Sequence, residues 1–230
     1  MADRGGTQQI PRPVGARPGR PAPWADLAEA DRHPDTAHIR ERLARPRRPA
    51  GPLIDVPDAR EAAVLVGVYD RDGEAHVVLT KRPETMPSHR GEIAFPGGKH
   101  EEQDPDLRAT ALREAHEEVG IEPASVDVVA ELDRIGTVAS AFTITPFVGV
   151  MREVPQLRPD PVEVVDAFGV PVSELLGPDT YREEIWDLWG APRSMAFYEL
   201  PGETVWGATA RILTHFLALV TGVPSPPLRL

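Results

Sequence analysis

The chain has no cysteine among its 230 residues. That excludes a disulfide framework, a zinc–thiolate site and a cysteine nucleophile. Long apolar runs are missing too: no stretch reaches the roughly 20 residues of a membrane span, and the N-terminus lacks the apolar centre of a signal peptide. Aromatic residues make up only 6% of the chain, so packing has to rest on aliphatic side chains. Basic residues are outnumbered, 25 against 36 acidic, for a net charge of −11. Such a balance disfavours attraction to nucleic acid or to acidic membranes, and neither is expected as a partner. The simplest location for such a chain is the cytoplasm.

Proline, by contrast, is abundant at 26 residues and collects near the ends. Residues 1–23 combine Pro, Arg and Gly with almost no aliphatic content. They can bury too little to offset the entropy of ordering, so a disordered or loosely ordered arm is expected, reaching to about residue 35. One folded domain then spans 36–223, with a short tail over 224–230. Asp35 is placed to cap a helix from Thr36 to Leu43. The basic stretch Arg45 to Pro49 reads as a solvated spacer.

Ala62 to Tyr69 is a valine-rich apolar run, as expected of a strand covered on both faces. Asp70-Arg71-Asp72-Gly73 reads as a hairpin turn because Asp-Gly tolerates positive φ, and Ala75 to Thr80 returns. Short strands are expected at Glu92 to Phe95, Val126 to Leu132, Phe142 to Met151 and Ser194 to Leu200. Val172 to Leu176 reads as a short helix. A final helix is expected over Glu203 to Thr221, with a stripe of Val205, Ala208, Ile212, Phe216, Leu219 and Val220, and with Trp206 in the core or at an interface, stacking on a substrate being the alternative.

The chain is organised around GGKHEEQDPDLRATALREAHEEVGI, Gly97 to Ile121. In a helix Glu114 and Glu118 lie about 40° apart, with Glu117 about 60° from Glu114 on its other side. Three carboxylates on one narrow face repel one another. A hard divalent cation would relieve the repulsion. Leu107, Ala111, Ala115 and Val119 form the opposite, small and apolar face, suited to close packing on a sheet, and Gly120 stands where a helix C-cap is expected. The competing interpretation is an ordinary solvated helix surface. Against it stand the Gly97-Gly98 pair and Arg113, which can brace a carboxylate.

This string resembles the Nudix box, G-x5-E-x7-R-E-U-x-E-E-x-G-U with U aliphatic. From Gly98 the chain reads G-x5-D-x8-R-E-A-x-E-E-x-G-I. The departures are Asp104 for a glutamate, one extra residue before Arg113, and Ala115 for the first U. The resemblance implies an α/β fold, a Nudix α/β/α sandwich with a mixed sheet between helices, and a diphosphatase using Mg²⁺ or Mn²⁺. It assigns metal ligation to Gly98, Glu114, Glu117 and Glu118, and catalysis to Arg113, Glu114 and Glu117. Nudix enzymes often take a further carboxylate from a loop after the box. Glu163 is the candidate here, with a plain surface acid as the alternative.

The preceding segment, LTKRPETMPSHRGEIAFPGG, is similar to the signature of coenzyme A diphosphatases, with Leu79, Thr80, Arg82, Gly91, Phe95, Pro96, Gly97 and Gly98 in register. Pro83 stands where serine is usual, and Pro87 where the group has arginine. Arg82 is implied in substrate binding, with an exposed cation at a strand end as the alternative, and His89 or Arg90 are stand-ins for the missing arginine. The implied substrate is a nucleoside diphosphate derivative, coenzyme A or an acyl-CoA in particular. NADH, ADP-ribose, nucleotide sugars and a non-catalytic ligand-binding module are the other readings. Dimers are common among similar proteins, so a homodimer is an expectation.

Overall fold

The computed structural model describes residues 4–44, 56, 58–85, 89–137 and 140–224. The basic stretch at 45–49, Pro87, and Pro226 with Pro227 lie outside the described residues. In chain order the elements are β1 (Arg17–Pro18), α1 (Thr36–Leu43), β2 (Arg60–Arg71), β3 (Glu74–Lys81), β4 (Ile93–Ala94), β5 (Gly97–Lys99), α2 (Leu107–Val119), β6 (Val126–Glu131), β7 (Ile135–Thr137), β8 (Phe142–Met151), β9 (Asp166–Pro171), α3 (Val172–Leu175), β10 (Tyr181–Leu188), β11 (Ala191–Leu200), β12 (Glu203–Val205) and α4 (Gly207–Thr221).

β2 is central because its residues are apolar on both faces. Ala63 and Leu65 pack with Ala111, Ala115 and Val119 of α2, whereas Val66 and Val68 enter a second core with Ile212, Phe216 and Val220 of α4. Alternation along a strand enforces that division. Asp72 and Gly73 both take positive φ, 55° and 83°, in the tight turn to β3. The sheet runs β4-β3-β2-β8-β6, with β5 on β2, β7 on β8 and β9 on β3. Only β2 and β8 are parallel in it, so the sheet is mixed and lies between helices, as the sequence implies.

One edge of β2 is shared. Residues Val68–Arg71 pair with β3 and Ala62–Val64 with β5, while the Leu65 N–H donates to the Pro96 carbonyl at 2.9 Å between them. The sheet therefore opens at Pro96, and Gly97-Gly98 is laid against α2.

A second sheet, β1-β10-β11-β12, takes in part of the arm that the sequence leads one to expect as disordered or loosely ordered. β1 pairs with β10 at Arg17↔Ile185, and Gly5 N–H donates to the Leu200 carbonyl at 2.8 Å. Arg12 bonds Glu184 at 2.8 Å, and Gln8 bonds Glu203 at 2.5 Å. Trp24 is buried, packed edge-on to Tyr181 and stacked near Tyr198 at 5.4 and 6.3 Å. The arm has no core of its own; its order comes from acids and aromatics of other strands. A correction concerns the last helix, which begins at Gly207; Glu203–Val205 is instead strand β12, paired with β11. Among the described residues no helix is long and apolar enough to cross a membrane.

Candidate active site

α2 starts where the Asp106 carboxylate accepts the Ala109 N–H at 2.8 Å and ends at Gly120 in the left-handed conformation, φ 71°. Within it Glu114 and Glu118 are one turn apart. Glu163 comes from the loop between β8 and β9. One carboxylate oxygen from each lies within 4.8 Å of the others. Glu118 is almost fully buried, and one of its oxygens accepts the Gly97 N–H at 3.1 Å. Burial pushes its pKa up to about 7, with Glu114 and Glu163 adding to the rise and the Gly97 bond and the Arg82 charge opposing it. Burial likewise raises Glu114, against the pull of Arg113.

Glu117 does not join this group. It is 55% exposed and accepts a bond from Arg113 at 2.8 Å. Of the three acids expected on one narrow face, two converge and the third is turned along the helix to the guanidinium.

Arg113 is gripped chiefly by a residue outside the expected set. Its Nε and one terminal nitrogen form a fork on Asp104, at 2.8 and 3.0 Å. The same terminal nitrogen reaches the Lys99 carbonyl at 3.2 Å and Glu114 at 3.1 Å. Asp104 is buried and takes further bonds from Thr110 and the Glu101 N–H. These bonds, the Arg113 fork foremost, hold its carboxyl well below the usual range. The sequence carried the signal: Asp104 occupies the box position where glutamate is usual.

The loop bearing Glu163 is keyed to α2. Asp160 N–H donates to the Glu118 carbonyl and Arg158 N–H to the Val119 carbonyl, both at 2.9 Å. The Asp160 carboxylate in turn accepts the Val162 N–H at 2.8 Å, and its carbonyl accepts the Glu163 N–H at 3.1 Å. Gly97 is required for closeness, with φ 155° and a position where a Cβ would sit 2.4 Å from the Ala63 carbonyl oxygen, and a Cβ at Gly98 would displace the Glu114 carboxylate from 2.5 Å away.

Arg82 follows β3, its N–H on the Glu92 carbonyl at 3.0 Å. Its Nε is buried without an acceptor among the described residues, and its charge is felt by both Glu118 and His89. His89 and Arg90 do not join the acids. They line a separate cleft, where His89 pairs with Glu92 at 2.9 Å.

A family model described as the NUDIX domain matches residues 59–192. The chain belongs to the Nudix family. It is similar to an Arabidopsis thaliana protein named Nudix hydrolase 22, chloroplastic, at 37% identity over 168 residues, 70% of this chain and 55% of that one; the chain thus spans little more than half of that plant relative. It is also 36% identical over 159 residues to a protein of Photorhabdus laumondii named uncharacterized Nudix hydrolase NudL, covering 69% of this chain and 83% of that one. Among solved structures a C. elegans Ap4A hydrolase binary complex matches at 15% identity and a TM-score of 0.43, over 51% of this chain and 83% of that one.

The Nudix segment contains the acid trio, Arg113, Asp104 and Arg82, whereas the arm, Trp206 and α4 lie outside it. Nudix hydrolases generally use divalent metal ions, and the donor set fits one. Glu114, Glu118 and Glu163 offer only hard carboxylate oxygen, as Mg²⁺ and Mn²⁺ prefer, from atoms within 4.8 Å of one another.

Proposed function

We propose that this chain is a metal-dependent hydrolase that cleaves the diphosphate of coenzyme A or an acyl-CoA, giving 3',5'-ADP and a 4'-phosphopantetheine product. The observation that carries the reading is the convergence of Glu114, Glu118 and Glu163 beside the Gly97-Gly98 turn. In this reading Glu114 and Glu118 would hold Mg²⁺ or Mn²⁺, with the Gly98 carbonyl as a further oxygen and Glu163 beside them. The bound cation supplies neutralising charge for phosphoryl oxygens and acidifies water.

The chain's own residues do the rest. Asp104 anchors Arg113, which fixes Glu114 and Glu117. Glu163, the exposed member of the trio, accepts the proton of the attacking water. Arg82, whose Nε has no acceptor among the described residues, binds a phosphate oxygen. The choice of coenzyme A is supported by the segment from Leu79 to Gly98. Pro87, standing where the coenzyme A group has arginine, favours a second reading with another nucleoside diphosphate derivative such as NADH or ADP-ribose.

Incubation of the pure chain with coenzyme A, NADH and ADP-ribose in Mg²⁺ or Mn²⁺ separates these readings by product. Glu118→Gln should lower turnover by about a hundredfold or more with an unchanged circular dichroism spectrum. Turnover of NADH alone would overturn the coenzyme A assignment, and no turnover of any would leave a ligand-binding module.

A further inference from the structure

The N-terminal arm lies outside the Nudix segment, yet it walls a cleft of about 550 Å³ lined by Thr7, Gln9, Pro11, His89, Arg90 and Trp206. The wall is built rather than draped. Gly6 N–H donates to the Thr204 hydroxyl at 2.9 Å, and Thr204 N–H donates to the Gln8 side chain at 3.2 Å. Glu203 joins the arm to the sheet: one oxygen takes Gln8 and the other takes Lys81 at the end of β3, both at 2.5 Å. The Lys81 carbonyl accepts the Val165 N–H at 2.8 Å from the loop that bears Glu163, and the N–H of the next residue, Arg82, donates at 3.0 Å to the carbonyl of Glu92 in the cleft lining. The cleft and the loop that bears Glu163 are thus joined through Lys81 and Arg82.

Its chemistry is specific. Trp206 is half-buried and backed by Trp186 at 6.5 Å, a fixed indole with part of its surface open to the cleft. Gln9 offers an amide and Thr7 a hydroxyl, and both are exposed. Two acids are also in the lining: Glu92 is engaged by His89, and the Glu84 carboxylate lies over Gly91, within 2.2 Å of where a Cβ would stand. A flat ring can stack on the indole, an amide can bond the edge of a base in both directions, and a guanidinium with an imidazole can meet a phosphate.

We propose that this cleft is the nucleoside subsite. A purine stacks on Trp206 with its edge toward Gln9 and Thr7, and the phosphate on its ribose lies by Arg90 and His89. The N-terminal arm is then a specificity element of the enzyme. This rests on the diphosphatase reading for the identity of the ligand, so the test is equilibrium binding rather than turnover.

Adenosine 3',5'-bisphosphate titrated into the full chain, followed by calorimetry, should bind with a Kd that Trp206→Ala raises about tenfold or more, because base stacking is worth roughly that much; Trp206→Phe should recover most of the loss. Thr7→Trp, on the exposed arm, should crowd the cleft and raise Kd about as far without touching α4, and it stands as the test if Trp206→Ala does not fold. Binding of 4'-phosphopantetheine should not respond to either change. Equal affinity for the bisphosphate across the variants, absence of binding, or a response confined to phosphopantetheine overturns the assignment. Failure to cleave coenzyme A while nucleotide binding still depends on Trp206 and Thr7 would defeat the diphosphatase reading and leave the subsite standing.

Discussion

Glu118 and Asp104 sit at the two ends of one electrostatic arrangement and titrate in opposite senses. Glu118 keeps its proton up to about pH 7 in the native chain, against an ordinary value of 4.5. Between those limits the native state binds more protons than the unfolded one, so stability falls as pH rises. Asp104 is held below its ordinary value of 3.8, chiefly by Arg113, so its contribution is complete above that pH and is lost as pH falls below it. In EDTA the urea midpoint should decline from about pH 4.5 to about pH 7, and Glu118→Gln should flatten that decline. Excess Mg²⁺ should flatten it too, by compensating the carboxylate. A wild-type midpoint in EDTA that declines no more over this range than the variant's would contradict the assignment. Asp104 also shows what a single substitution in a motif can hide: a shorter acid, with the extra residue before Arg113, still delivers a fork to the guanidinium.

At the scale of elements, the loop from Arg158 to Val165 holds a catalytic candidate by backbone bonds and one side chain. Asp160→Ala removes the acceptor of the Val162 N–H and loosens the turn that presents Glu163. Turnover should fall about tenfold or more while the melting temperature moves by only a few degrees; unchanged turnover would show that Glu163 is placed by other means. Much at this scale was legible in the sequence. The β2–β3 hairpin follows from Asp72-Gly73, the span of β8 is the predicted one, and α2 ends at Gly120 as its glycine suggests. The direction of Glu117 was not legible, because helical spacing fixes where a side chain starts and not which partner draws it. β10 was missed for a related reason. It carries Glu183 and Glu184, which are buried all the same, since Arg12 and the Arg20 N–H come to them from more than 160 positions away. Glu163 was singled out only through the family resemblance, as nothing local distinguishes it from other loop acids.

For the molecule as a whole, the arm and the second sheet order each other. Neither reads as stable alone: the arm is Pro- and Arg-rich, and β10 carries acids on strand positions. Trp24, buried among Tyr181 and Tyr198, joins them apolar side to apolar side. Trp24→Ala should cost about 3–5 kcal/mol of stability and make the bonds of residues 4–20 exchange faster with deuterium than those of β2 and β8. A loss below about 1 kcal/mol, on the same scale, would mean that the arm adds little to the fold.

The carbonyls of Glu118 and Val119 accept the N–H groups of Asp160 and Arg158, and this has a mechanical outcome. The loop acid is tethered to the same helical turn as the acid it must meet, so the spacing of the three carboxyl groups depends on that turn. Heat or denaturant would then pull the trio apart only by fraying that last turn, and catalytic competence should persist until the turn gives way.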